Sequence, residues 1–105
     1  MSPAFTPQAL KQIKYIHRLS RQLNGKKKSS HEKKILCLMR QHIDEITNLY
    51  QIKNMHYLIE TGDLLILCLE ILIENKRSIN AVFGRCINRY DKKIQSLLKK
   101  KKKKC

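Results

Sequence analysis

With 105 residues, the chain has room for one small domain with a modest core. Its 23 basic and 8 acidic residues give a formal net charge of +15. No run of about 20 apolar residues occurs, so no membrane span is expected, and the N-terminus lacks the charged-then-apolar pattern of a secretory signal. A cytoplasmic location is therefore expected.

The first predicted helix starts after Thr6, a favourable N-cap residue, with Pro7 at the first helical position. Apolar residues then recur near helical spacing at Leu10, Ile13, Ile16 and Leu23. Asn24-Gly25 is a typical helix-end signal. These features predict one amphipathic helix followed by a lysine-rich loop.

A second helix is predicted from the capping box formed by Ser29 and Glu32. Its apolar face runs through Ile35, Met39, Ile43, Ile46 and Tyr50. A break near Lys53-Asn54 ends this segment. The pattern predicts a long helix whose apolar face packs against its neighbours.

The third helix is predicted from about Met55 to Glu74, and it contains the most apolar run of the chain, 64–73. A turn at 75–77 follows, with Ser78 as the expected cap of a fourth helix. One side of that helix carries Ile79, Phe83, Ile87, Tyr90, Ile94 and Leu97 or Leu98. No hairpin turn joins two alternating runs, so no strands are expected.

The predicted fold is an all-α four-helix bundle spanning residues 1–98, followed by a disordered polylysine tail over 99–105. The later helices are apolar over wide faces, which so short a chain cannot cover by itself. We therefore expect a homodimer, or a larger homo-oligomer, to complete the bundle.

Acidic residues form a stripe along the third helix. Glu60 and Asp63 are three residues apart and share a helix face, which Glu70 and Glu74 continue. Two carboxylates at this spacing suit Mg²⁺, with a phosphate substrate helping to hold the ion. The alternative interpretation is an ordinary solvated helix face.

Three other kinds of site are not predicted. His42 and His56 come close across the expected turn, but no Cys/His pair has the spacing of a structural zinc site. Cys37, Cys68 and Cys86 are expected to be buried, reduced thiols without an adjacent base. The three scattered glycines exclude a phosphate-binding P-loop.

The segment Glu60-Thr-Gly-Asp63-Leu-Leu, with the later Arg89-Tyr-Asp-Lys-Lys-Ile94, resembles the MazG-like all-α nucleoside triphosphate pyrophosphohydrolases. The resemblance covers about a third of the chain, residues 58–94. It implies an oligomeric helical bundle that uses Mg²⁺ to cleave a nucleotide between its α and β phosphates. Glu60 and Asp63 would be metal ligands, and a bound Mg²⁺ would neutralise phosphate charge and activate water.

The resemblance fails on the preceding helix, where family members carry a Glu-Glu-x-x-Glu element. The best in-register segment is Arg40-Gln-His-Ile-Asp44, in which Asp44 is the one remaining acid and the expected third ligand. A later register, Asp44-Glu45-x-x-Asn48, keeps two acids but shortens the spacing and loses the third. The chain is therefore predicted to be such an enzyme or a catalytically degenerate relative of it.

Cationic residues of the fourth helix are expected to bind the substrate phosphates. These residues are Arg89, Lys92 and Lys93. The alternative is that they are solvent-facing cations near a helix end, where the helix dipole favours them.

A basic helical module without catalysis is the competing prediction. Lys99–Lys104 would attract nucleic acid with little sequence preference. A second basic face is expected on the first helix, at Lys11, Lys14, Arg18 and Arg21. Burial of the wide apolar face on another protein is a third possibility.

Overall fold

The computed structural model describes residues 3–25 and 27–103. They form four α-helices: α1 (Pro7–Asn24), α2 (Lys28–Gln51), α3 (Tyr57–Glu74) and α4 (Ile79–Lys103). The described ranges contain no strand, which confirms the all-α prediction. Within those ranges, no helix combines the length and the apolar character needed to cross a bilayer.

Three of the predicted helix ends are confirmed. The Ala9 N–H donates to Thr6 Oγ1 over 3.1 Å at the start of α1, and the Ala81 N–H donates to Ser78 Oγ over 3.2 Å at the start of α4. α1 ends at Gly25, whose φ of 106° is a conformation that glycine adopts without steric cost. Local capping chemistry therefore fixes these ends.

The capping box predicted at the start of α2 is wrong. α2 begins at Lys28, with Lys27 as N-cap and no capping hydrogen bond from a side chain. Because the helix starts earlier than the box requires, Ser29 lies inside the first turn. Glu32 instead lies 3.8 Å from Lys28 Nζ, a spacing of four residues that is favourable on a helix surface.

α2 and α3 form the most extensive helix pair, and α1 packs across both. Left-handed residues close the turns at either end of α3, at Lys53 with φ 60° and Lys76 with φ 55°. α4 contacts α3 alone among the helices. The N-terminal segment also holds α4, because the Asn80 side chain exchanges hydrogen bonds of 2.9 and 3.1 Å with the Phe5 backbone.

The core is thin. Its buried apolar side chains within the described ranges are Ile35, Leu67, Leu69 and Ile79. α1 has no fully buried residue, and α4 is exposed at every position from Gly84 to Lys102. The described residues extend over 55 × 40 × 26 Å, so α4 projects from the other three helices and leaves its apolar side uncovered.

The fourth helix extends into the lysine-rich end of the chain. α4 remains helical to Lys103, five residues beyond Leu98, whereas residues 104 and 105 of the predicted tail lie outside the described ranges. Lysine has a high helix propensity, and cations are favoured at a helix C-terminus. Residues 99–103 therefore continue the helix.

The cysteines are less buried than predicted. Cys37 and Cys86 are exposed, so the prediction of burial is wrong for both. Cys37 lines a surface depression of α2 together with Arg40 and Asp44, and Cys86 lies on the exposed part of α4. Cys68 is half-buried, and burial raises the pKa of its thiol above the ordinary value of 9.0.

Candidate metal centre

The acidic stripe of α3 points toward α1 and α2. Glu70 is only 3% exposed, and Leu67, which lies within the stripe, is also buried. The solvated-face interpretation is therefore wrong for this part of α3. Leu67 separates the four acids of the stripe into two pairs, and each pair contacts basic residues of neighbouring segments. Glu60 and Asp63 form an outer cluster with His42 and His56. Glu70 and Glu74 form a buried cluster with His17, Arg21 and His31.

In the outer cluster, His42 from α2 faces the two predicted ligands on α3. His42 Nε2 lies 3.3 Å from Glu60 Oε2 and 4.0 Å from Asp63 Oδ2. His56, which precedes α3, places its Nε2 3.5 Å from the other Glu60 oxygen. The side chains of Glu60 and Asp63 are 13% and 51% exposed, so the cluster opens to solvent at Asp63.

The backbone fixes the orientation of the His42 ring. Its Nδ1 lies 2.9 Å from the carbonyl oxygen of Leu38. A carbonyl can only accept, so Nδ1 carries the proton and donates it. Nε2 therefore faces Glu60 and Asp63, and in a neutral ring its lone pair would be directed at a metal ion held there, as in metal sites where a backbone carbonyl orients a histidine ligand.

This arrangement is suited to a divalent metal ion. One ligand atom each from His42, Glu60 and Asp63 lies within 4.8 Å of the others. One imidazole nitrogen and two carboxylate oxygens can bind Mn²⁺ or Zn²⁺, whereas Mg²⁺ prefers oxygen ligands alone. Three protein ligands also leave coordination positions for water and substrate.

The predicted third ligand, Asp44, is not part of either cluster. Asp44 is exposed and lines a shallow depression together with Arg40, Cys37 and other residues of α2. It follows His42 by two residues, about 200° around an α-helix, so the two side chains leave α2 in nearly opposite directions. The residue of α2 that meets the acidic pair is His42.

The predicted phosphate contacts also lie apart from the acids. Arg89, Lys92 and Lys93 border a shallow groove together with Cys86 and Tyr90, and every one of these residues belongs to α4. Lys93 Nζ lies 5.7 Å from the centre of the Tyr90 ring, a cation–π distance. Within the described chain, this groove and the outer cluster share no residue.

The buried cluster joins three helices. His17 of α1 places Nε2 3.0 Å from Glu74 Oε2 and Nδ1 3.5 Å from Glu70 Oε1. Arg21 Nη1 lies 3.3 Å from Glu74 Oε1, so Arg21 turns inward and is not part of a solvated basic face. His31 of α2 completes the cluster and is fully buried.

His31 is held as a neutral imidazole. Burial lowers its pKa below the ordinary value of 6.5, and the negative charge of Glu74 opposes this shift without cancelling it. His17 contacts it edge-on, with ring centres 5.1 Å apart. The neutral form of imidazole is the form that binds metal ions.

The sequence predicts that His42 and His56 come close, but it does not connect any histidine with the acidic residues of α3, although a signal for this exists. The signal is that two histidines share one side of α2 with two apolar residues. The spacings are four, three and four, for His31, Ile35, Leu38 and His42. Reading the apolar positions alone places the inner face of α2 at Ile35, Met39, Ile43, Ile46 and Tyr50. Ile35 is fully buried, but Ile43 and Tyr50 are exposed. Comparison with known protein-family models, curated proteins and solved structures finds no match to this chain.

Proposed function

We propose that the protein is a metal-dependent nucleoside triphosphate pyrophosphohydrolase of the MazG-like type, with the outer cluster as its metal centre. The observation that carries the proposal is the convergence of His42, Glu60 and Asp63 from two helices. The resemblance of residues 60–65 to the MazG-like metal-binding segment supports the same assignment.

The ligand set bears on which metal ion is used. Mg²⁺ is the ion that the resemblance implies, but the imidazole of His42 favours Mn²⁺ over Mg²⁺. We therefore propose that both ions support activity and that Mn²⁺ does so better. The bound ion would neutralise phosphate charge and lower the pKa of a bound water, while Glu60, Asp63 and the ring of His42 would hold it.

Homodimerisation is part of the proposal. Exposed apolar residues recur at spacings of three and four along α4, and each is at least half exposed. These residues are Ile87, Tyr90, Ile94 and Leu97. This is the spacing of helices that pair along a narrow apolar seam. A second copy seated on α4 would cover the seam and bring another set of helices next to Arg89, Lys92 and Lys93.

The test is release of pyrophosphate from a panel of ribo- and deoxynucleoside triphosphates, with Mg²⁺, with Mn²⁺ and without metal. Asp63→Asn keeps the shape of the side chain and removes its charge, so turnover should fall by about 100-fold or more. Asp44→Asn is the matched control on the opposite side of α2, and its turnover should stay within about twofold of wild type. The assignment is refuted if the folded protein releases no pyrophosphate with either ion.

Polyanion binding is a second candidate function, favoured by the charge of α4. This helix carries nine cationic residues and one acidic residue, Asp91. The described residues of this helix from Gly84 to Lys102 are all exposed, so most of its charge lies at the surface. Phosphate contacts of this kind give binding that depends strongly on salt and weakly on sequence.

Removing residues 99–105 tests that candidate. Binding to a random-sequence RNA should weaken, and the slope of log K against log salt should become shallower by several units. Asp63→Asn should leave this binding unchanged. An unaltered salt slope after the deletion would exclude the end of α4 as a polyanion site.

A further inference from the structure

His31 is the least satisfied side chain of the buried cluster. It is fully buried, yet neither ring nitrogen has a hydrogen-bond partner. Its Nε2 lies 3.8 Å from Glu70 Oε1 and 3.9 Å from Glu74 Oε2, beyond the ~3.2 Å limit of an N–H···O bond. A buried imidazole pointing at two carboxylates from this distance leaves room for a third group between them.

The separations in the cluster match those between ligands of one metal ion. Two atoms bound to Zn²⁺ at about 2.0–2.1 Å in tetrahedral geometry are roughly 3.4 Å apart. His17 Nε2 and His31 Nε2 lie 3.0 and 3.9 Å from the same oxygen, Glu74 Oε2. His17, His31 and Glu74 each offer one ligand atom within 4.8 Å of the others.

The neighbouring charged groups are placed around such a site. Glu70 Oε1 lies 3.5 Å from His17 Nδ1, the ring nitrogen that faces away from Glu74, so Glu70 can orient His17 as carboxylates do in zinc proteins. Arg21 contacts the opposite oxygen of Glu74, Oε1, and leaves Oε2 to the imidazoles. With neutral imidazoles, two carboxylates face one guanidinium, and a divalent cation would offset the remaining negative charge.

We propose that the buried cluster is a structural Zn²⁺ site whose ligands are His17 Nε2, His31 Nε2 and Glu74 Oε2, with Glu70 orienting His17. Two imidazoles and a carboxylate form a ligand set that proteins use for Zn²⁺. The ion would join α1, α2 and α3, and it would fasten α1, which has no fully buried residue of its own. Small domains with thin cores commonly depend on a metal ion in this way.

The test uses the untagged, full-length protein, stripped with a chelator and kept reduced. A His42→Gln/Asp63→Asn variant removes the outer cluster, so the measurement does not depend on the proposed function. Zn²⁺ is then titrated by calorimetry and followed by thermal unfolding. We expect one tight Zn²⁺ per chain and a midpoint raised by roughly 10 °C at a 100-fold excess over Kd.

Ligand identity is checked in two ways. In the same background, His31→Gln and His17→Gln should each abolish the tight site, whereas the matched control His56→Gln should retain it. Cobalt substitution of the unmutated protein gives a readout that requires no variant to fold: ligand-field bands without sulfur-to-cobalt charge transfer are expected. The proposal is overturned if the stripped protein takes up no Zn²⁺, if its unfolding midpoint does not move, or if the cobalt spectrum shows thiolate ligands.

Discussion

His42 Nε2 lies 3.3 Å from Glu60 Oε2, and through this contact α2 brings a nitrogen atom to the acidic pair of α3. The sequence resemblance predicts a carboxylate, Asp44, in that role. Nitrogen and oxygen ligands prefer different metal ions. A histidine in place of the expected aspartate therefore changes which ion the proposed site should prefer.

Replacing His42 by aspartate should therefore change metal preference. An all-oxygen ligand set favours Mg²⁺, so His42→Asp should lower the ratio of Mn²⁺-supported to Mg²⁺-supported turnover by about tenfold. The measurement is pyrophosphate release at saturating concentrations of each ion. Asp44→Asn should leave the ratio unchanged, and a ratio that stays constant in His42→Asp would show that His42 does not bind the metal.

Folding stability of the metal-free protein should fall with acidification. The pKa of His31 is lowered in the folded state, so the unfolded chain binds more protons below pH 6.5. The stabilisation from the neutral ring is present above pH 6.5 and is lost as the pH falls through the folded-state pKa. The folded-state pKa of His31 depends on the charged groups that face its ring. These groups are His17 and Arg21 of α1 and Glu70 and Glu74 of α3.

Urea unfolding of chelator-treated protein at several pH values measures this dependence. One proton gives a slope of at most about 1.4 kcal/mol per pH unit. His31→Gln should flatten the curve over this window, and the exposed His56→Gln should not. An equal slope in wild type and His31→Gln would mean that another group controls the acid sensitivity.

The thin core makes stability sensitive to single positions. Leu67 is buried between the two clusters, so Leu67→Ala should lower the free energy of unfolding by about 2–4 kcal/mol. Leu98 is 52% exposed on α4, so Leu98→Ala should change the free energy of unfolding of the monomer by less than about 0.5 kcal/mol. Urea titrations followed by circular dichroism at low protein concentration compare the two. Similar losses in both variants would indicate that α4 is covered, as a dimer would cover it.

Most features set by neighbouring residues are predictable from the sequence, the start of α2 being the exception. The ends of α1 and the start of α4 follow from Thr6, Gly25 and Ser78, each of which acts within one turn. The pairing of Glu60 with Asp63 follows from helix spacing alone. The histidine partners depend on which side of α2 meets α3, and apolar residues on two sides of α2 made that choice ambiguous.

Burial of polar residues explains the rest of the difference. Pattern reasoning assigns apolar residues to the interior and charged ones to solvent, so Glu70 and His31 were not expected inside. Charged residues enter the interior when they are paired there, and the pairing of α1 with α3 is a long-range property. The prediction for Cys86 is wrong for the opposite reason, because α4 is exposed from Gly84 to Lys102 and no described element covers its apolar side there.

Because α4 is long and is held only near its start, a small change in its tilt moves its far end by a large distance. A helix of 25 residues is about 37 Å long, and α4 is held near its start by Ile79 and by the hydrogen bonds between Asn80 and Phe5. A tilt of about 10° at the start of α4 would displace the lysines at its far end by roughly 6 Å. The short stretch that contacts Phe5 therefore determines where the most strongly charged end of the molecule is presented.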